Sequence, residues 1–279
     1  MSRSAGSRYD TYKNRWHTLT FEHDSRKCTI DGVSVWLLHP VRKVMGSWAI
    51  YERDFTRTID PVLRPATYLR NAPTSLVMLD PGHGGKDDGA KGVRNVKERL
   101  VVMDVAKRVE RELRKHGIRV KKTRPRDVYL SLTERAAIAA RAGASLFVSI
   151  HMNSSGDKSV AGSETYVLAP TGEDSTNHYG QKARKTACRG NRHDSANMLL
   201  GYRIQRALLR SAKRPDRGVK RARFKVLKDA PCPAALVEGA FVSNAAEESK
   251  MIEANFREAM AQGIATGIRE YLSLAKKSR

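Results

Sequence analysis

Leu76-Val-Met-Leu-Asp-Pro-Gly-His-Gly-Gly85 and Leu146-Phe-Val-Ser-Ile-His-Met-Asn153 are short apolar runs, each with a histidine just past its end. Such runs, bounded by glycine, proline and polar residues, read as buried strands. Ligands of an open α/β sheet bind beyond the carboxyl ends of the strands, so His83 and His151 are delivered to one edge. Glu98, in Asn95-Val-Lys-Glu-Arg99, lies between them at the expected start of a helix. Two imidazoles and a carboxylate that leave a fourth position for water form a catalytic zinc set, whereas a closed structural zinc site is usually rich in cysteine. Each residue alone has a plainer explanation. A lone histidine after a strand is more often structural, and a first-turn acid favours the helix dipole by about 0.3–1 kcal/mol. Their coincidence at element ends points to a metallohydrolase.

Outward from these runs, strands and helices alternate from Ser75 onward, the pattern of a sheet with helical crossovers. Leu76 to Asp80 is a first strand. Val102, Val105, Val109 and Leu113 mark one face of a helix from Lys97 to His116, and Gly117 stops it. Ile118 to Thr123 is a second strand. Ser131-Leu-Thr-Glu134 is a capping box opening a helix that ends near Arg141, and Leu146 to Ile150 is a third strand. Ser163 to Ala169, Phe224 to Leu227 and Ala234 to Val237 read as further strands. Leu200, Ile204, Ala207 and Leu208 stripe one helix, and Phe256, Met260, Ile264 and Ile268 stripe the last. The polar stretch from Pro170 to Ala196 has neither period and reads as a long loop able to cover a site or contact substrate. The fold class is α/β: one central, mostly parallel sheet flanked by helices, with a small N-terminal β-containing appendage.

The appendage is set apart by composition, since Trp16, Trp36 and Trp48 all fall in the first fifty residues. Asp31-Gly32 splits its apolar residues as a turn would, predicting a strand or hairpin. Residues 1 to about 15 read as a flexible polar tail. Aromatic faces suit a wall-binding or docking module, but a packed aromatic mini-core is the more ordinary expectation. The division is therefore 1–70, tail and accessory module, and 71–279, catalytic domain.

The chain carries 52 Lys+Arg against 29 Asp+Glu, a formal charge of +23, which attracts polyanions through a field that salt screens. Nucleic acid, anionic lipid and anionic wall polymers all qualify as that polyanion, and because the basic residues are scattered along helices and not interleaved with aromatics, nucleic acid is the weak expectation among them. Cys28, Cys188 and Cys232 form no CxxC pair, so neither a cysteine zinc site nor a disulfide framework is indicated, although Cys188 and Cys232 could oxidise together. No stretch reaches the roughly 18 apolar residues of a membrane span, and Met1 to Tyr12 lacks the apolar core of a secretory signal.

Glu238 ends the apolar run Pro233-Ala-Ala-Leu-Val and precedes Gly239-Ala-Phe-Val-Ser-Asn244. A carboxylate closing a buried strand is costly unless paired or kept for chemistry. Of the other histidines, His178 and His193 in the long loop are the outside candidates for a ligand.

Read together, Leu-Asp-Pro-Gly-His-Gly-Gly-Lys-Asp-Asp-Gly-Ala, Lys-Glu-Arg, Ser-Ile-His-Met-Asn-Ser and Leu-Val-Glu-Gly-Ala-Phe-Val-Ser-Asn resemble the zinc-dependent N-acetylmuramoyl-L-alanine amidase family (amidase type 3 catalytic domain) over about Ser75 to Leu272. Leu132-Thr-Glu-Arg-Ala-Ala-Ile-Ala and Asp216-Arg-Gly-Val-Lys220 are similar to family segments as well. The resemblance implies a phosphorylase/hydrolase-like sheet, with Zn2+ on His83, Glu98 and His151 and Glu238 as the catalytic glutamate. It also implies a peptidoglycan substrate and a periplasmic or extracellular place at the cell wall. The glycine after Glu238 is shifted from the family's usual position, which leaves Glu238 in register. Some relatives carry a regulatory helix where Thr171 to Asn197 lies; the Gly, Asn and Asp content here speaks against one, and no activating partner is named. The alternatives are another zinc amidohydrolase or peptidase on the same fold, or a non-catalytic basic polyanion-binding protein.

Overall fold

The structure is a computed structural model that describes residues 2–69, 74–176, 183 and 185–278. Thirteen strands are present among them: β1 (Ser2–Ala5), β2 (Tyr9–Lys13), β3 (Thr18–Glu22), β4 (Lys27–Ile30), β5 (Val33–Trp36), β6 (Arg42–Val44), β7 (Ser47–Ala49), β8 (Val77–Pro81), β9 (Val120–Lys122), β10 (Leu146–Asn153), β11 (Ser163–Leu168), β12 (Asp216–Ala222) and β13 (Ala234–Phe241). The helices are α1 (Glu52–Asp54), α2 (Asp60–Leu63), α3 (Pro65–Tyr68), α4 (Glu98–Lys115), α5 (Leu132–Arg141), α6 (Asp194–Ala212), α7 (Lys225–Lys228), α8 (Ala245–Ile252) and α9 (Ala254–Lys277). All strands but β6 and β7 join one sheet in the order β1-β2-β3-β4-β5-β12-β11-β13-β10-β8-β9.

The C-terminal block β13, β10, β8 and β9 is parallel throughout, and β11 runs antiparallel to β13. The carboxyl ends of β8, β10 and β13 therefore share one edge, whereas β11 ends at the other. Val102, Val105 and Val109 of α4, Ile204 and Leu208 of α6 and Ile264 and Ile268 of α9 fill the core on one face. The opposite face is covered more sparsely, by α5 and α7 over Met78, Phe147, Tyr166 and Leu236. Side chains alternate along a strand, so Asp80 shares that thinner face with Met78, His151 with Phe147, and Glu238 with Leu236. Sparse cover leaves room there for a site. The capping box of α5 is as expected, with Ser131 Oγ accepting from the Glu134 N–H and the Glu134 carboxylate accepting from the Ser131 N–H.

Four expectations are corrected. The supposed tail forms the hairpin β1–β2, closed by Gly6 N–H donating to Tyr9 O at 2.8 Å and by Arg3 on buried Asp10 at 3.0 Å. Its polar composition hides the pattern, because the inward face of β2 carries Asp10 beside Tyr12, and Tyr12 lies edge-on to Phe21 at 6.0 Å. The tryptophans build no common mini-core. Trp16 is 68% exposed, Trp48 stacks on His23, and Trp36 Nε1 donates to Arg217 O at 3.0 Å, while Leu19, Phe21, Ile30 and Val35 supply the packing. Phe224 to Leu227 is not a strand: Phe224 precedes the single turn α7, too short for either period to show. The long loop ends earlier than read, with a 3-10 turn at Arg189–His193 and α6 starting at Asp194. Residues 177–182 and 184 of that loop, His178 among them, lie outside the described residues, as do 70–73 at the expected boundary.

The appendage is bonded into the sheet. Val35 of β5 pairs with Val219 of β12, the Ser34 N–H donates to Asp216 at 2.7 Å, and Tyr202 of α6 donates to Ile30 O at 3.0 Å. All three cysteines are free; Cys28 and Cys232 are buried, and burial pushes the Cys232 thiol up to about 12.

Candidate metal centre and its comparison with known proteins

Strand β8 delivers Asp80 and Pro81, and the chain then turns through Gly82 to His83, whose φ of 56° is left-handed. A non-glycine residue there is held by its surroundings. Arg135 of α5 donates to Pro81 O at 2.8 Å and His83 O at 2.7 Å, and Arg124 donates to Pro81 O at 2.9 Å and Gly82 O at 2.8 Å. Asp80, fully buried, anchors Arg135 at 2.8 Å and accepts from Thr123 and Ser149 at 2.6 and 2.8 Å. The turn is thus clamped by two buried guanidiniums. Burial and the neighbouring Arg135 charge hold Arg124 down at about 10.

Glu98 opens α4 and is buried. Its Oε2 lies 3.1 Å from His83 Nε2 and accepts from Ala90 N–H at 2.9 Å; its Oε1 lies 3.0 Å from His151 Nδ1 and accepts from Met152 N–H at 3.0 Å. Burial opposes its ionisation, yet the imidazoles of His151 and His83 outweigh it and hold the carboxyl below the usual carboxylate range. One ligand atom from each of His83, Glu98 and His151 falls within a 4.8 Å cluster, the one such group of three among the described residues.

The donor set fits a zinc ion. Asp87 Oδ2 lies 2.9 Å from His83 Nδ1, placed to accept from the Nδ1–H in the tautomer that leaves the Nε2 lone pair for a metal. The surrounding backbone is pared to glycine. A Cβ on Gly82 would overlap the His151 imidazole, and one on Gly89, at φ 68°, would come within 2.6 Å of Glu98 Oε2.

Glu238 sits beside His151 in the β10–β13 register. Its Oε2 is shielded from solvent and has no hydrogen-bond partner among the described residues. Burial, then the charges of Glu98 and Glu164, hold its proton well above the usual carboxylate range. A shielded carboxyl oxygen left without a partner is expensive. His83, His151 and Glu238 open onto a cavity of about 470 Å³ walled by Tyr129, Leu130, Leu132, Phe224, Val226 and Leu236.

Sequence reading placed His83, Glu98, His151 and Glu238, and these converge. His193 lies in the 3-10 turn after the long loop, outside this cluster. Sequence reading missed Asp80, Asp87, Arg124, Arg135 and Glu164. Asp80 had the same signal as Glu238, an acid closing an apolar run. Glu164 pairs across β11–β13 with Glu238 and is saturated: Lys220 at 2.6 Å, Arg217 at 3.0 Å, Tyr166 Oη at 2.7 Å and Asn153 Nδ2 at 2.6 Å. Nothing in local spacing reveals those partners.

Residues 77–270 match the family model described as N-acetylmuramoyl-L-alanine amidase. The chain is 33% identical over 252 residues to the N-acetylmuramoyl-L-alanine amidase AmiA of Escherichia coli, covering 81% of this chain and 85% of that one. Among solved structures it is similar to the amidase AmiC2 of Nostoc punctiforme, with a TM-score of 0.61 and 30% identity over 72% of this chain and 99% of that one. The catalytic domain of CwlV from Bacillus (Paenibacillus) polymyxa matches with the same TM-score and 32% identity, over 72% of this chain and 99% of that one. The chain belongs to the N-acetylmuramoyl-L-alanine amidase family.

Proposed function

We propose that this amidase is zinc-dependent, with His83, Glu98 and His151 as the ligands and Glu238 as the proton carrier. The observation that carries the reading is the convergence of three ligand atoms within 4.8 Å beside an unpaired, shielded carboxyl. The bond cut joins the lactyl group of N-acetylmuramic acid to L-alanine of the stem peptide. Zinc, when bound, supplies a Lewis acid for the scissile carbonyl and lowers the pKa of water from 15.7 toward about 7. Glu238 takes a proton on its carboxylate and returns it to the leaving amine nitrogen. Burial and the neighbouring carboxylates raise its pKa, which strengthens it as a base for the first half of that exchange. Asp87 fixes the His83 ring, and the Arg124–Arg135 clamp fixes the turn that presents it. The apolar walls of the cavity exclude water around the amide.

Under the same proposal residues 71–279 form the catalytic domain and residues 1–70 an accessory unit. The enzyme acts at the cell wall, periplasmic or extracellular, and the chain's positive charge draws it to anionic wall polymers. No described helix is long and apolar enough to cross a membrane. Zinc stoichiometry tests the ligand set: one equivalent per chain is expected, lost in His151→Ala and retained in Glu238→Gln. Retention of full stoichiometry in His151→Ala would refute it.

A further inference from the structure

A cavity of about 710 Å³ lies beyond the end of β11, at the opposite edge of the sheet from Glu238, and nothing in the amide chemistry uses it. Four guanidiniums line it. Arg53 belongs to α1, Arg57 to the π-helical turn Phe55–Ile59, and Arg189 and Arg192 to the 3-10 turn before α6. One carboxylate, Asp194, lies among them, and it already accepts from Asn191 at 2.9 Å. Arg53 is engaged by Glu173 at 2.7 Å. Arg57, Arg189 and Arg192 are exposed, and none has an ion pair or side-chain hydrogen bond among the described residues. Other arginines of this chain sit on carboxylates, as Arg64 does on Asp60, Arg108 on Asp104 and Glu258, and Arg257 on Asp104. Three unpaired guanidiniums facing one concavity repel one another until an anion enters.

We infer that this arginine-lined cavity is a binding site for a phosphate group. Each guanidinium is a planar fork that matches carboxylate or phosphate oxygens bidentately. A carboxylate has two oxygens and one charge, which a single fork satisfies. A phosphate monoester has three free oxygens and about −1.5 to −2 charges, and so engages several forks together. The cavity draws Arg53 and Arg57 from the N-terminal segment and Arg189 and Arg192 from the segment before α6, so occupancy ties the two together. The inference is independent of the amidase reading.

Cys188 also lines this cavity and is half-buried, while Cys28 and Cys232 are buried, so its alkylation rate reports occupancy. The experiment measures Cys188 alkylation in the full chain, loaded with zinc, against inorganic phosphate at constant ionic strength. Saturable protection is expected, with the half-saturating concentration raised about tenfold or more in Arg57→Ala/Arg192→Ala. Arg119→Ala/Arg269→Ala, which alters a separate basic cavity, is the control and is expected to behave as wild type. Phosphate held at the metal edge would leave Cys188 unprotected. Co-sedimentation with vesicles containing phosphatidic acid, whose headgroup is a phosphate monoester, separates the sources: recruitment lost in the Arg57/Arg192 variant identifies a lipid headgroup, and protection by phosphate without recruitment identifies a soluble phosphate group. The inference is overturned if citrate protects as well as phosphate, if the Arg57/Arg192 variant is protected like wild type, or if the control variant loses protection equally.

Discussion

Two walls of the catalytic edge treat a buried carboxyl in opposite ways. On the α4 side each oxygen of Glu98 accepts from a backbone N–H and has an imidazole nitrogen within 3.1 Å. On the β13 side the Oε2 of Glu238 has no partner among the described residues, and the charges of Glu98 and Glu164 oppose its ionisation. The first environment fixes a negative charge in place and the second makes a proton exchangeable. Environments that push two carboxyl groups apart suit them to different roles, and the proposed mechanism has Glu98 hold and Glu238 transfer. Glu164 sharpens the contrast. It is the more deeply buried of the two and lies across from Glu238, yet Lys220 and Arg217 hold its carboxyl below the usual range, so burial alone does not raise a carboxyl here.

Breaking the contrast at Glu238 should have the largest consequence. Glu238→Gln keeps shape and removes the exchangeable proton, so turnover on peptidoglycan should fall by about 10²–10⁴ with zinc content unchanged. The same variant carries a pH signature in the metal-free protein. A carboxyl whose folded pKa is raised binds its proton where the unfolded chain has already released it, so wild-type stability falls as pH rises above the ordinary carboxylate range. Glu238→Gln should therefore match wild type near pH 4 and melt higher near pH 7; a lower melting temperature at pH 7 would contradict the unpaired state of the carboxyl.

Next comes the clamp behind His83. Arg135→Met leaves Asp80 buried without its cation, a loss of about 3–5 kcal/mol, read as a fall in the denaturant midpoint. A change confined to activity would mean that the clamp positions the turn without stabilising the fold. Asp87→Asn keeps the size but weakens the hold on His83 Nδ1, and zinc affinity should drop about 10–100-fold. The smallest effect is expected at Ser131→Ala, where loss of the α5 cap costs about 0.5–2 kcal/mol and leaves zinc affinity unchanged.

What was legible in the sequence follows from range. The four central residues sit at the ends of strongly apolar runs, and the carboxyl-edge rule for α/β sheets converts those ends into one place. Asp80 obeys the same rule and was passed over because no partner is near it in sequence: Arg135 is 55 residues on. Glu164 falls in a strand that is buried along its whole length, so no polar face announced it. The N-terminal hairpin was misread for the reverse reason, since polar strands carried by backbone pairing to a neighbour show no apolar period. Single-turn elements such as α7 are shorter than the windows on which periodicity depends.

The most direct test is digestion of purified peptidoglycan by protein stripped of metal and then reloaded with zinc, with soluble products read by mass spectrometry. Free stem peptides beginning with L-alanine, absent from the stripped protein and restored by zinc, are the expected result. Products cut at another bond, or the same peptides released equally by the stripped protein, would contradict it.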